Sequence, residues 1–96
     1  MWIKATIVEF KEEYSFLNKG KIYRRQIVHL VTEDRQRLFV ELRDKKIDQI
    51  RNMKLVCGET ANFRIVFKGS DKNGKHFNNI VAKDIKYEWE KEYRRD

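Results

Sequence analysis

The feature that most constrains the fold is a two-residue alternation of apolar and polar side chains, which recurs in five separate runs. A period of two is that of a β-strand with one face in the core and the other in solvent, whereas a helix repeats every 3.6 residues. The alternation predicts strands over residues 2–10, 22–32, 37–42, 59–68 and 76–87. We therefore expect a mainly β protein.

The period changes once, between the third and fourth predicted strands. Ile47, Ile50 and Met53 follow each other at a spacing of three, which predicts a short helix over residues 44–53. We expect the Asp44 carboxylate to cap it by accepting hydrogen bonds from the unpaired amides of the first turn. Three strands, a helix and two strands in 96 residues predict the OB-fold, a five-stranded Greek-key barrel.

Two polar segments interrupt the alternation, and we interpret residues 11–21 and 69–75 as hairpin loops. Residues 11–25 carry five Lys and Arg against two Glu, and residues 68–83 carry four Lys against one Asp, in a chain of net charge +7. In an OB-fold these loops flank the ligand groove, so their charge favours binding of a nucleic-acid backbone. The alternative is that the loops are basic only for solubility.

Length and composition limit the other classes of protein. The 96 residues predict one OB-fold domain over residues 1–87 and a charged tail over residues 88–96. No apolar run reaches the roughly 18 residues of a membrane helix, and residues 1–5 do not resemble the start of a signal peptide. Cys57, the only cysteine, fits a reducing cytoplasm. We therefore expect a cytoplasmic protein with no membrane partner.

Catalytic and metal-binding motifs are not found in the sequence. His29, His76 and Cys57 are its only histidines and cysteine, and they have no spacing typical of a metal site. No HExxH, CxxC or phosphate-binding glycine loop occurs. We therefore expect a protein that is not an enzyme and that holds no metal or cofactor.

Three short motifs resemble those of a known family. Asn18–Gln26 contains Gly-Lys-Ile-Tyr-Arg-Arg-Gln, Val40–Lys45 contains Val-Glu-Leu followed by Asp-Lys, and Gly69 precedes Asn73–Phe77, which is Asn-Gly-Lys-His-Phe. They are similar to the Gly-Lys-x-Trp-Lys-Lys-Gln, Phe-Glu-Leu-x-x-Asp-Lys and Gly-x-x-x-Asn-Gly-Arg-Trp-Phe motifs of short single-stranded-DNA-binding-like proteins. That family is largely uncharacterised and typical of Bacteroidetes and their mobile elements. The resemblance covers nearly the whole chain and implies an OB-fold that binds single-stranded nucleic acid.

The chain departs from the family pattern at two positions. His76 stands where the family usually has Trp, and Lys83 stands where an aromatic residue is common. If those aromatic rings stack on bases, this chain has replaced stacking by charge. The tail also lacks the acidic, Phe-terminated tip through which typical bacterial single-stranded-DNA-binding proteins recruit partners.

Alternation also assigns the aromatic residues to faces. Phe39 alternates with core residues of the third strand and is expected outside, as are Tyr23 and Arg25 on the second strand. These three side chains are candidates for a base-stacking platform with a neighbouring cation. The alternative is an outward apolar patch buried in a homodimer or larger homo-oligomer. Phe67 and Phe77 are expected to pack against the core.

The sequence therefore predicts a protein that binds single-stranded DNA, with RNA as the alternative, with little sequence preference and a role in DNA replication or repair. The residues expected to contact phosphates are Lys19, Lys21, Arg24, Arg25, Lys68, Lys72 and Lys75. Those expected to stack on bases are Tyr14, Phe16, Tyr23, Phe39 and His76. The alternative function is a protein-interaction OB domain that acts as an oligomeric accessory factor in a replication, mobile-element or phage complex.

Overall fold

The computed structural model describes residues 1–90, apart from the side chain of Lys72. Over these residues the elements are β1 (Trp2–Phe10), β2 (Tyr14–Asn18), β3 (Lys21–Thr32), β4 (Arg37–Arg43), α1 (Lys45–Asn52), β5 (Thr60–Lys72) and β6 (Lys75–Tyr87). Of the predicted tail, residues 88–96, only residues 88–90 are among the described residues.

Five of the strands form a closed ring. β1 pairs with β5 along one edge and with β3 along the other, and the order around the ring is β1-β5-β6-β4-β3. β4 and β6 pair in parallel at Val40 and Ile80, and the other pairs are antiparallel. The mainly β class and the helix between the third and fourth strands of the ring confirm the corresponding sequence predictions.

The inward side chains of the ring form an apolar core. Every strand of the ring contributes to it, as the alternation predicts, and α1 closes one end with Ile47 and Ile50. Burial of each large apolar side chain contributes about 1.5–3 kcal/mol. The strand residues of this core that are fully or nearly fully buried are Ala5, Ile7, Val28, Leu30, Val40, Leu42, Ala61, Phe63, Ile65, Ala82 and Ile85.

No helix of residues 1–90 has the length and apolarity needed to cross a bilayer.

Asp44 precedes α1 but does not cap it. Its side chain makes no hydrogen bond to the first turn, so the predicted capping contact is wrong. Asp44 Oδ1 instead accepts a hydrogen bond from the Arg24 amide at 2.9 Å, and the Asp44 amide donates to the Arg24 carbonyl at 3.0 Å. The Asp44 carboxylate thus extends the β3–β4 pairing past Arg43. Its bond with the Arg24 amide competes with the capping bonds that the first-turn amides of α1 would donate to the same carboxylate.

The segment predicted as a loop over residues 11–21 contains a strand. β2 pairs with β3 from Tyr14↔Arg25 to Asn18↔Lys21, so the turn is only Lys19-Gly20. The φ angles of these two residues are 52° and 76°, the left-handed conformations of a type I′ hairpin turn. β2 pairs with the same edge of β3 as β1 does, further along the strand. β2 and this end of β3 project beyond the ring, and we call them the β2–β3 arm.

The hairpin of β5 and β6 also extends beyond the ring, and we call this extension the β5–β6 arm. Its strands run to Lys72 and from Lys75, so the turn is Asn73-Gly74 and not the whole of residues 69–75. Phe67, predicted in the core, is 60% exposed. The reason is that β1 pairs with β5 only as far as Arg64, and the ring core does not extend under Phe67.

We expect Phe63→Ala and Phe67→Ala to differ sharply in their effect on folding. Phe63 has no exposed surface, so its truncation should lower the free energy of unfolding by about 3–5 kcal/mol through lost burial and an internal cavity. Phe67→Ala on the same strand should cost less than about 0.5 kcal/mol. Urea unfolding followed by circular dichroism measures both. Equal losses would contradict the position of the core.

Candidate functional site

The pairing register brings a large set of side chains to one surface, which we call the outer face. It is the side of β2, β3 and β4 turned away from the core, because directly paired residues of neighbouring strands point to the same side of a sheet. Phe16 pairs with Tyr23, and His29 pairs with Phe39. The outer face comprises Tyr14, Phe16, Asn18, Lys21, Tyr23, Arg25, Ile27, His29, Val31, Arg37, Phe39, Glu41 and Arg43.

Three aromatic rings form a row across the β2–β3 arm. The ring centroids of Tyr14 and Phe16 lie 6.4 Å apart and those of Phe16 and Tyr23 lie 5.5 Å apart, with interplanar angles of 29° and 22°. The Arg25 guanidinium lies 5.0 Å from the Phe16 centroid, and the Lys21 ammonium lies 5.4 Å from that of Tyr23. These rings present π surfaces next to cations, the combination that binds stacked bases and phosphates together.

Ion pairs hold Arg25 flat against these rings. Its Nε lies 3.2 Å from Glu41 Oε1, and its Nη1 lies 3.5 Å from Asp44 Oδ2. Arg43 also contacts Glu41, so this carboxylate is shared by two guanidinium groups. The side chain of Arg25 is only 14% exposed. Arg25 is therefore positioned before any ligand arrives, while part of its charge is already balanced.

A second aromatic group lies further along β3 and β4. The His29 and Phe39 rings stack with centroids 4.6 Å apart, and Phe39 is 49% exposed whereas His29 is 6% exposed. Arg37 Nε donates a hydrogen bond to His29 Nε2 at 3.2 Å. The buried His29 ring thus packs beside the exposed Phe39 ring and restricts its orientation. This contact follows from the register of two alternating strands, in which the two residues pair directly.

A cleft of about 630 Å³ lies beside Phe39, between β4 and β6. Ile27, Phe39 and Ile80 provide apolar surface, and Glu41 and Asn79 provide polar groups. Within the described residues the Asn79 side chain has no hydrogen-bond partner. The exposed Phe39 ring and the unpaired Asn79 amide thus face the same cleft.

Arg24 is not part of the outer face. It lies on the opposite side of β3, where its Nε donates to Glu13 Oε2 at 2.8 Å and its two Nη atoms donate to Asp48 at 2.9 and 3.0 Å. These bonds, that to Asp48 first, raise the pKa of Arg24, and they lower the pKa of Glu13 and of Asp48. Arg51 also donates to Glu13, at 2.7 Å. Arg24 thus links the β2–β3 arm to α1. Its guanidinium group is already paired with the carboxylates of Glu13 and Asp48, although the sequence predicts that it contacts a phosphate.

The β5–β6 arm adds to the outer face at its far side. Glu41 pairs with Val81, and alternation from Val81 places Phe77 on the same side of the sheet. Phe77 is 47% exposed, so its predicted packing against the core is wrong. Lys68 and Lys75 share this side through their pairing in the arm.

Two other predicted contacts of the arms, His76 and Lys19, are not brought to the outer face. His76 pairs with Asp71 on the reverse side of the β5–β6 arm, and its Nδ1 lies 3.5 Å from Asp71 Oδ1. Lys19 is a turn residue at the tip of the β2–β3 arm. The side chain of Lys72 lies outside the described part of the chain.

Neither a protein-family model nor a curated protein matches this chain. Within the described residues, His, Cys, Asp and Glu side chains form no group of three placed to hold a metal ion.

We expect Glu13→Gln to remove much of the acid sensitivity of the β2–β3 arm. The pKa of Glu13 is lowered from its ordinary value of 4.5 by the bonds from Arg24 and Arg51, so the native state favours the ionised carboxylate. This contribution to stability is complete above pH 4.5 and is lost as the pH falls through the lowered pKa. Urea unfolding at neutral and acid pH should show a smaller loss in the variant than in the unmodified protein.

Glu12→Gln is the matched control, because Glu12 makes no ion pair among the described residues. It removes the same charge from the adjacent position without breaking the contact to Arg24. If Glu12→Gln and Glu13→Gln change the pH dependence equally, then the Glu13–Arg24 pair does not stabilise the arm.

Proposed function

We propose that this chain is an OB-fold protein that binds single-stranded DNA through its outer face, with little sequence preference. The fold assignment is supported by the ring order β1-β3-β4-β6-β5, by the parallel pairing of β4 with β6, and by the helix between β4 and β5. In OB-folds the second and third strands of the ring carry oligonucleotides, and here these strands are β3 and β4. Membership of the single-stranded-DNA-binding-like family is part of the same proposal and is supported by the motifs of the sequence.

The observation that carries the proposal is the exposure of stacked aromatic rings beside two cations, Arg25 and Lys21. Tyr14, Phe16 and Phe39 are 52%, 39% and 49% exposed although each lies in a regular strand and contacts another ring. Stacking of a base on an aromatic side chain is worth about 1–3 kcal/mol. A row of such rings next to Arg25 and Lys21 suits a flexible single strand whose bases are unpaired, whereas the bases of a duplex are already stacked.

Low sequence preference follows from the kinds of groups on the outer face. Every base has a π surface, so stacking and phosphate contacts do not distinguish one base from another. The side chains of Glu41 and Asn79 offer polar groups in the cleft, but Glu41 is already bound by Arg25 and Arg43. RNA would be bound by the same stacking and charge, and competition between DNA and RNA oligonucleotides distinguishes the two.

A protein-interaction domain is the alternative function, in which the chain is an accessory factor of a replication, mobile-element or phage complex. The exposure of Leu17 and Ile22, 70% and 68%, favours a protein contact at the β2–β3 arm. These side chains pair on the side opposite to Phe16 and Tyr23. A contact through these two side chains leaves Tyr23 and Phe39 on the outer face available to a nucleic acid.

Fluorescence anisotropy with labelled oligo-dT of about 30 nucleotides tests the function directly, since a single OB-fold covers about 4–16 nucleotides. We expect binding that exceeds binding to duplex DNA and that weakens as salt is added. If neither DNA nor RNA binds at low salt, the proposal is overturned and the protein-interaction domain is favoured.

We expect Phe39→Ala to weaken oligo-dT binding about 5- to 150-fold, which corresponds to the loss of one stacked base. Phe67→Ala is the matched control, because Phe67 is also exposed but lies on the other side of the sheet. Anisotropy measures affinity, and thermal unfolding checks that both variants fold. Equal affinities of the two variants would remove Phe39 from the site.

We expect Lys21→Gln to reduce the dependence of binding on salt. One phosphate contact on a single strand accounts for a slope of about 0.7 in log affinity against log salt concentration. Lys45→Gln is the matched control, since Lys45 is an exposed residue of α1 and not of the outer face. The measurement is the anisotropy titration repeated over a salt series. An unchanged slope in Lys21→Gln would show that Lys21 contacts no phosphate.

A further inference from the structure

The free edge of β2 lacks the features that usually prevent edge-to-edge pairing. β2 is the last strand of the sheet order, and all five of its residues are exposed. Charged residues, proline or a bulge normally protect such an edge, and Tyr14–Asn18 contains no charge, no proline and no register shift against β3. The β5–β6 arm, by contrast, carries Lys68, Asp71 and Lys75.

The turn determines which backbone groups of β2 point away from the sheet. A two-residue turn is closed by a hydrogen bond between its flanking residues, which here are Asn18 and Lys21. Hydrogen-bonded and non-hydrogen-bonded pairs alternate along an antiparallel ladder, so Phe16 and Tyr14 also bond to β3. The N–H and C=O groups of Ser15 and Leu17 therefore point outward, where no described strand pairs with them.

The charges around β2 make it complementary to itself in the antiparallel direction. Acidic Glu12 and Glu13 precede the strand, and basic Lys19 and Lys21 follow it. When a second β2 lies antiparallel with Phe16 opposite Phe16, Glu13 of each copy comes opposite Lys19 of the other. Such opposite charges favour the pairing, whereas a parallel arrangement would place like charges together.

We propose that the partner at this edge is a second copy of the chain, paired antiparallel through β2 about a two-fold axis at Phe16. In this register Ser15 of one copy is opposite Leu17 of the other, so the outward backbone groups of both copies form four hydrogen bonds. Shifting the register by two residues in either direction loses part of this set. The interface is isologous, the usual form of a symmetric dimer.

Pairing in this register also joins the side chains of the two copies. On one side Phe16 meets Phe16 of the second copy, which continues the aromatic row of Tyr23 and Phe16 across the axis. On the other side the exposed Leu17 side chains of the two copies become diagonal neighbours across the new pairing and lose contact with water. The inference rests on the sheet edge alone and does not depend on nucleic-acid binding, although the dimer would double the length of the outer face.

Sedimentation equilibrium of the full chain, without nucleic acid, tests the proposal. We expect a mass that approaches twice the 11.8 kDa of one chain as the protein concentration rises. Ser15→Pro should weaken this dimer about 5- to 150-fold, because it removes one outward hydrogen bond in each copy. Proline is tolerated at Ser15 because the N–H group there faces solvent in the monomer. Ser15→Val is the matched control, which keeps that N–H and should remain dimeric.

Disulfide trapping tests the register. Phe16→Cys in a Cys57→Ser background should cross-link rapidly under mild oxidation, since directly opposed residues of a non-hydrogen-bonded pair have Cα atoms about 4.5 Å apart. Asn18→Cys in the same background should not, because the two copies of residue 18 would lie about 13 Å apart along the strands. A monomer at all concentrations, or a dimer that Ser15→Pro leaves unchanged, would overturn the proposal. Equal cross-linking at residues 16 and 18 would contradict the register.

Discussion

The pairing of β1 with two neighbours is the constraint on which the rest of the structure depends. β1 bonds to β5 as far as Thr6 and to β3 as far as Phe10, and this double pairing closes the ring. Closure removes the exposed edges of the five strands in the ring region and forces alternate residues inward. Ala5 and Ile7 are consequently buried, and so are the inward residues of the strands on either side.

Closure also determines where a ligand surface can lie. The inside of the ring is filled by side chains, so a ligand must bind on an outer side, and the one that we propose is the outer face of β3 and β4, extended at one side by β2. Arg24 fixes this extension from behind through Glu13 and Asp48, while Arg25, on the front, is held by Glu41 and Asp44. Adjacent arginines of one strand thus perform different tasks because successive side chains point to opposite faces.

Much of the ring could be predicted from the sequence, because alternation depends on burial and burial depends on the ring. Phe39 was correctly expected to point outward for this reason. The errors occur where the chain leaves the ring. Phe67 continues the alternation but has no core beneath it, and Tyr14 and Phe16 lie in a strand whose residues are all exposed. Arg24 could not be assigned to Asp48 from the sequence, since 24 residues separate them and only the docking of α1 brings them together.

Chemical-shift mapping of backbone amides during titration with oligo-dT identifies the bound surface without changing a residue. We expect perturbations concentrated on β2, β3 and β4 around Phe16, Tyr23 and Phe39, with α1 little affected. Perturbations confined to α1 or to the reverse side of the β5–β6 arm, or no perturbation at saturating oligonucleotide, would contradict the proposed binding surface.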